Sequence, residues 1–371
     1  MGQELLSKYL EDTSIQQYKT DVAFRTLVEG VDENMYIIPS YQRKFRWKKY
    51  QVENLVESLL KGLPIPPIYT YRNEKKQLVI LDGQQRVMSL FFYYIGYFLN
   101  EKDNSSIDFS RLELNGRTFK EALLSRDDII KLDIKIRVNE NEALCVNYHD
   151  LPIEVKRKVD YTTITVIEIK IDQDEGQNQV LKKIFANLNN GGSILSDQEI
   201  RNGIYNCAMY EMLHKFNHEN GKWRSLWGRE SAEEKDLEML LRLCAMKKYV
   251  DVKGGEFTIS NYHSSYSDLL DQFSEEALNF DINMVDRYKA ALEEFVNYFD
   301  VRNVLANSVS LLESIFVVFE KRGIKKTITS SMLDEIRKLP GFTNNTRQGT
   351  VKMKKMNERW KAVYDYLSRT D

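Results

Sequence analysis

Cysteine and histidine are scarce in this chain, and the way they are spaced removes whole classes of chemistry. The three cysteines, Cys145, Cys207 and Cys244, lie far apart and form no CxxC pair. An odd, dispersed set excludes a disulfide framework and a cysteine-built structural zinc site. None of the four histidines belongs to an HExxH motif, so the usual metalloprotease helix is not expected. Net charge is equally sparse, at −2. The molecule is therefore not a polyanion binder by bulk charge, and any nucleic-acid role must come from local basic patches. Long apolar runs are absent too. The most apolar stretch, Val87 to Leu99, falls well short of the roughly 20 residues that span a bilayer; it reads as a buried core helix. The opening residues MGQELLSKYLEDTS have no basic stretch followed by an apolar run, so no signal peptide is expected. A cytoplasmic protein without a membrane role is the resulting expectation.

What is present is ordinary core-forming material. The chain has 371 residues with 42% hydrophobic and 29% charged content, enough for two domains. The first recognisable element is a helix after Trp47, with Val52, Leu55, Val56, Leu59 and Leu60 on one face. Gly62 stops it, and Pro64, Pro66 and Pro67 prevent its resumption. Ile68 to Tyr71 and Leu78 to Leu81 read as short strands around a polar turn, and Thr163 to Ile171 as a third. A helix closing over Lys182 to Leu188 ends at Asn189-Asn190-Gly191-Gly192, and Ser196 with Glu199 forms a capping box for the next. Beyond about Ile200 no strand pattern is evident. Leu237–Met246, Tyr266–Phe273, Val285–Phe299 and Ser308–Phe319 read as helices. The expected fold is α+β, with a small mixed sheet in an N-terminal domain (residues 1–205) and an all-α C-terminal domain (residues 206–371).

Four segments could carry chemistry. In the first, Gln42 and Arg43 open a run with Lys44, Arg46, Lys48 and Lys49, interleaved with Phe45 and Trp47. Arginine forks onto phosphate and aromatics anchor; a solvated loop with Trp47 packed down explains the same residues. The second is Asp82-Gly83-Gln84-Gln85-Arg86, placed where a strand turns into a helix. A helix start suits phosphate, Gly83 allows close approach to the backbone, the glutamines offer amides, and Arg86 is a fixed cation. Asp82 would hold a divalent cation, or be a plain N-cap beside an outward-pointing Arg86. The third spans Asn187, Asn190, Gly191 and Gly192 with Glu199, Arg201 and Asn202, which either caps helices or touches a base, ribose or phosphate. The fourth is the basic stretch Arg347 to Lys361, either a DNA-contacting stripe or a helix end favoured by its dipole.

Three of these segments, IPSYQRKFRW (Ile38 to Trp47), LDGQQR (Leu81 to Arg86) and FANLNNGGSILSDQEIRNG (Phe185 to Gly203), resemble in sequence and order the signature of the GmrSD N-terminal domain family. The resemblance covers roughly residues 20 to 205. It implies a ParB/sulfiredoxin-like fold and a role in bacterial anti-phage restriction, with nucleotide binding and hydrolysis; the leading expectation is an NTPase that uses Mg2+. By position it implies a catalytic set of Asp82, Gln84, Gln85 and Arg86, with Asp82 at the metal. It also implies a binding set of Gln42, Arg43, Asn187, Asn190, Gly191 and Gly192, to which the turn chemistry adds Gly83. DNA would be met through Arg43–Lys49 or Arg347–Lys361. Complete members carry an HNH-like nuclease with a histidine-centred metal site, and this chain has no histidine after His263. Either a partner protein would then supply the nuclease, or the effect on DNA is something other than cutting. The alternatives are a non-catalytic nucleotide-controlled DNA-binding or sensor module, and a nuclease with a carboxylate-only metal site.

Overall fold

A computed structural model describes residues 15–38, 45, 47–73, 75–100, 116–131, 133–139, 142–171, 196–205, 207–231, 233–260, 262–300, 308–347 and 349–369, with isolated positions 112, 114, 180, 181, 184, 187 and 188. The chain divides into two compact units, residues 1–194 and 195–371.

The first unit is built on a five-stranded mixed sheet. Its strands are β1 (Ile15–Ala23), β2 (Tyr36–Ile37), β3 (Ile68–Arg72), β4 (Leu78–Asp82) and β5 (Thr163–Ile171), in spatial order β1-β5-β3-β4-β2. β1 runs antiparallel to β5 from Ile15 opposite Ile171 to Ala23 opposite Thr163. β5 is parallel to β3, β3 antiparallel to β4, and β4 parallel to β2. Helix α1 (Phe24–Asp32) buries Phe24, Leu27, Val28 and Val31, and α2 (Lys49–Lys61) buries Val52, Leu55, Val56 and Leu59. The i, i+3, i+4, i+7 spacing accounts for both faces. As expected, Gly62 takes the left-handed conformation at the end of α2.

Helix α3 (Gln84–Ile95) is buried almost all round. The expected helix over Val87 to Leu99 stops early, because Gly96 turns left-handed and Tyr97–Leu99 becomes a short strand paired with Ile129–Lys131. Shorter helices α4 (Phe119–Leu124) and α5 (Ile153–Asp160) complete this unit's described helices of more than one turn. Residues 180, 181, 184, 187 and 188 are helical, in keeping with a helix toward Leu188.

The second unit is mainly helical: α6 (Asp197–Ile204), α7 (Ala208–Glu219), α8 (Gly221–Trp227), α9 (Lys235–Tyr249), α10 (Tyr266–Ala277), α11 (Ile282–Asn297), α12 (Val309–Arg322), α13 (Ser330–Lys338) and α14 (Met353–Arg369). Its core includes the fully buried Trp223, Leu240, Phe273, Leu312 and Trp360. The expectation of no strands here is overturned. Val250–Lys253 and Glu256–Ile259 form an antiparallel hairpin, and a two-residue parallel pair joins Phe299–Asp300 to Ile328–Thr329. The hairpin turns on Gly254 (φ 59°) and Gly255 (φ 88°), the positive-φ pair that a tight two-residue hairpin requires. No helix among the described residues is long and apolar enough to cross a membrane.

Candidate functional site

The site is built where β4 ends. Asp82 is the last residue of the strand, Gly83 has φ +97°, and α3 begins at Gln84. Glycine is required here on two counts. The left-handed φ penalises any Cβ, and a Cβ would also stand 3.0 Å from Arg86 Nη2 and 3.2 Å from Ile68 Cγ1. With Gly83 in the N-cap position, no side chain caps the helix. The first backbone N–H groups of α3 therefore keep the partial positive charge that an anion prefers.

The side chains around this turn have separate jobs. Arg86 does not point outward. It donates through Nη2 to Asp82 Oδ2 at 2.8 Å and to the Pro67 carbonyl at 3.1 Å. Asp82 is consequently no N-cap; it orients the guanidinium, and that overturns both structural alternatives raised for these two residues. Gln85 Oε1 accepts the Trp47 backbone N–H at 3.2 Å, and the Gln85 carbonyl accepts the Ser89 hydroxyl at 2.7 Å. Gln84 is 6% exposed, and its Nε2 is a buried donor with no hydrogen-bond partner among the described residues. A buried, unsatisfied amide costs about 1–3 kcal/mol, so an acceptor brought to this atom would be favoured.

The first segment arrives at the same helix. Phe45 is fully buried, with its ring 5.0 Å from Phe92 of α3 and 5.7 Å from Phe98. Together with the Trp47 amide on Gln85, this anchors the end of the basic run on α3. The Pro67 carbonyl and the Trp47 amide were not among the expected site groups. Both are backbone atoms, which carry no side-chain signature. Gln42 and Arg43 lie outside the described residues, as do Asn190, Gly191 and Gly192. Asn187 is a helical, exposed position.

Downstream, the expected capping box is present. Ser196 Oγ accepts the Glu199 N–H at 3.2 Å, and the Glu199 carboxylate accepts the Ser196 N–H at 2.8 Å. Arg201 and Asn202, left open by the sequence between helix capping and ligand contact, turn inward. Arg201 is 1% exposed and bonds Asp271 at 2.8 Å and Ser267 Oγ at 2.9 Å, while Asn202 bonds Glu234. Their work is to seat α6 among the helices of the second unit. The basic stretch divides in the same manner. Arg359 is buried against Glu313 at 3.1 Å, whereas Lys352 and Lys354 are exposed. These lysines sit at the start of α14, its positive end, so its dipole does not favour them there.

His214 and His218 stand four residues apart on α7, a spacing that can present two ligands to one metal. His218 Nδ1 instead bonds Glu230 at 2.8 Å. No group of three or more histidine, cysteine or acidic side chains that could hold a metal occurs among the described residues. Asp82 is a single carboxylate shared with Arg86.

A comparison with curated proteins returns no match. Residues 24–206 match the family model described as GmrSD restriction endonuclease, N-terminal domain. That span contains the elbow, the segment that docks on it and the capped α6. Through residues 24–206, the chain belongs to the GmrSD restriction endonuclease N-terminal domain family.

Proposed function

We propose that this chain is the nucleotide-binding, NTP-hydrolysing component of a restriction-type DNA defence system, with its phosphate site at the Asp82–Arg86 elbow. The observation that carries the reading is the Gln84 amide, a buried donor without an acceptor among the described residues, at the uncapped start of α3. A phosphate oxygen is an acceptor of the right charge for that place. The family match supports the restriction setting.

In phosphoryl transfer the protein mainly positions groups and stabilises charge. Arg86, held by Asp82 and the Pro67 carbonyl, presents a fixed cation. Gln84 Nε2 has no hydrogen-bond partner among the described residues, while Gln85 already holds Trp47. Gln84 is therefore the better donor to the ligand or the attacking water, and Gln85 keeps the first segment in place. Arg43 and Gln42 would reach the phosphates from that segment, and Asn187, Asn190, Gly191 and Gly192 would contact the rest of the nucleotide. Mg2+ typically takes one or two carboxylates besides substrate phosphates, and Asp82 is the residue here that would hold it. DNA would be met through Arg43–Lys49 or the exposed lysines of Arg347–Lys361, and a partner protein would bring the nuclease. Arg359 is removed from that contact set by its burial.

One observation favours a second reading, a non-catalytic nucleotide sensor. Asp82 and Arg86 neutralise one another, an arrangement that suits ligand-controlled rearrangement as well as turnover.

The test is phosphate release from each of the four NTPs and their deoxy forms, with and without DNA, alongside calorimetric binding. Arg86→Ala should weaken nucleotide binding by about 1.5–3 kcal/mol, the range for a hydrogen bond to a charged group. Wild-type affinity in a folded Arg86→Ala protein would remove the elbow as the phosphate site. Binding without phosphate release would leave the sensor.

A further inference from the structure

The interior of the helical unit contains one carboxylate facing two guanidinium groups. Glu313 on α12 is 1% exposed in its side chain. Its Oε1 accepts Arg359 Nη2 and Trp360 Nε1, each at 3.1 Å, and its Oε2 accepts the Tyr266 hydroxyl at 2.6 Å. Arg242 Nε stands 3.2 Å from the same Oε2. Arg359 Nη1 also donates to the Asn345 and Thr350 carbonyls at 3.0 and 2.7 Å, while its Nε is buried without a hydrogen bond among the described residues. Arg242 has no such carbonyls among the described residues. Its guanidinium stacks 3.4 Å above the Tyr266 ring centre, and its terminal nitrogens make no hydrogen bond among the described residues. Of its nitrogens only Nε is both sealed from solvent and without a hydrogen bond, and the side chain is 14% exposed. The fork is thus fixed by stacking and by Glu313, with its two ends open.

Glu313 is shared by Arg359 and Arg242, one buried carboxylate facing two guanidinium groups. Glu238, one turn earlier on α9, faces Arg242 as well and lies 3.7 Å from Arg201, which Asp271 already pairs at 2.8 Å. Asp268 on α10 is the other acid facing the neighbouring Tyr262. On the other side Tyr262, whose ring is 6.2 Å from that of Tyr266, donates its hydroxyl to the Val351 carbonyl at 2.8 Å. That bond draws in the start of α14, where Lys352 and Lys354 are exposed and the first turn has no acidic residue. Lysines at the positive end of a helix oppose its dipole, and an anion there would relieve them.

We propose that Arg242 is the fork of a phosphate-group site on the helical unit, assisted by Lys352 and Lys354 at the start of α14, which Tyr262 ties to this side, and that it takes a backbone phosphate of nucleic acid. This rests on the reading that the helical unit meets DNA. Arginine binds phosphate bidentately when its plane is already fixed, and stacking on Tyr266 provides that preorganisation.

The experiment measures binding of a labelled DNA duplex to the full chain across a salt series, with thermal melting in inorganic phosphate as a parallel arm. Arg242→Gln should weaken duplex binding on the order of tenfold and reduce the salt slope by about one. Arg242→Lys should keep the slope yet lose affinity, since a point charge neutralises a phosphate without the fork. If Arg242→Gln fails to fold by circular dichroism, the lysine variant carries the test. A folded Arg242→Gln with wild-type affinity and slope overturns the proposal. If Lys352→Gln with Lys354→Gln still lowers the slope in that case, DNA binding by this unit survives and Arg242 alone drops out. If the wild type binds no duplex, the DNA reading fails. The Arg242 site then stands only if inorganic phosphate raises the melting temperature and Arg242→Gln abolishes the rise; no rise overturns it.

Discussion

Arg86 Nη2 and Asp82 Oδ2 stand 2.8 Å apart, bridging the single glycine on which β4 turns into α3. The pair closes over Gly83, which is why a Cβ there would meet the guanidinium at 3.0 Å. Gly83→Ala should therefore cost about 1–2 kcal/mol for the left-handed backbone and displace Arg86 besides. Urea denaturation reads the first effect and nucleotide binding the second. An unchanged midpoint would mean that the turn adapts without strain.

Asp82→Asn separates the catalytic from the sensing reading. Because Asp82 caps nothing, the loss of its charge should leave the melting temperature nearly unaltered, while Arg86 is freed to meet phosphate. A turnover role predicts that nucleotide still binds and Mg2+-dependent phosphate release disappears. A sensor predicts tighter binding with no hydrolysis in either protein. Wild-type hydrolysis in the variant would remove Asp82 from the chemistry.

Much of this was legible in the residues, for reasons that can be named. The elbow was visible because a strand, Asp-Gly and an apolar helix follow in order, and α2, β5 and the Ser196 capping box were visible through periodicity and caps. β1 was not, because its residues are exposed through Asp21 and no apolar alternation marks its faces. α1 carries its signal in Phe24, Leu27, Val28 and Val31, and the hairpin in Gly254-Gly255; both lie outside the elements expected from the sequence. The inward turn of Arg201 and Arg359 was hidden, since a buried arginine differs from a solvated one only through distant partners, Asp271 and Glu313.

Acid sensitivity has one well-placed contributor in the first unit. Arg126 grips Asp128 through Nε at 2.8 Å and Nη2 at 2.7 Å, and this hydrogen bonding holds the Asp128 carboxyl below its usual range. A carboxyl whose pKa is lower in the folded state contributes stability above its unfolded pKa, about 3.9. That contribution is lost as pH falls through the folded value. Asp128→Asn should therefore destabilise at neutral pH by at most about 1 kcal/mol, the pair being partly solvated. The two proteins should converge in strong acid. A constant difference across a pH series of denaturation curves would show that packing, not ionisation, is responsible.

The heaviest stability prediction falls on Glu313, whose carboxylate is shared by Arg242, Arg359, Tyr266 and Trp360 from α9, α14 and α10. Glu313→Gln preserves shape and leaves one oxygen to accept hydrogen bonds, but it strands two guanidinium groups beside a neutral amide. Breaking a buried ion pair from one side costs about 3–5 kcal/mol, because the remaining charge stays desolvated. The exposure of Arg242 lets that group recover some hydration, so the lower end, about 3 kcal/mol, is expected. The same network holds Tyr266 beneath Arg242, where burial pushes the phenol well above its ordinary pKa. The variant should thus also loosen the Tyr262 bond to Val351 at the start of α14. Chemical denaturation reads the global loss, and amide exchange in residues 349–355 reads the local one. A loss below about 1 kcal/mol would show that the helical unit does not depend on this carboxylate.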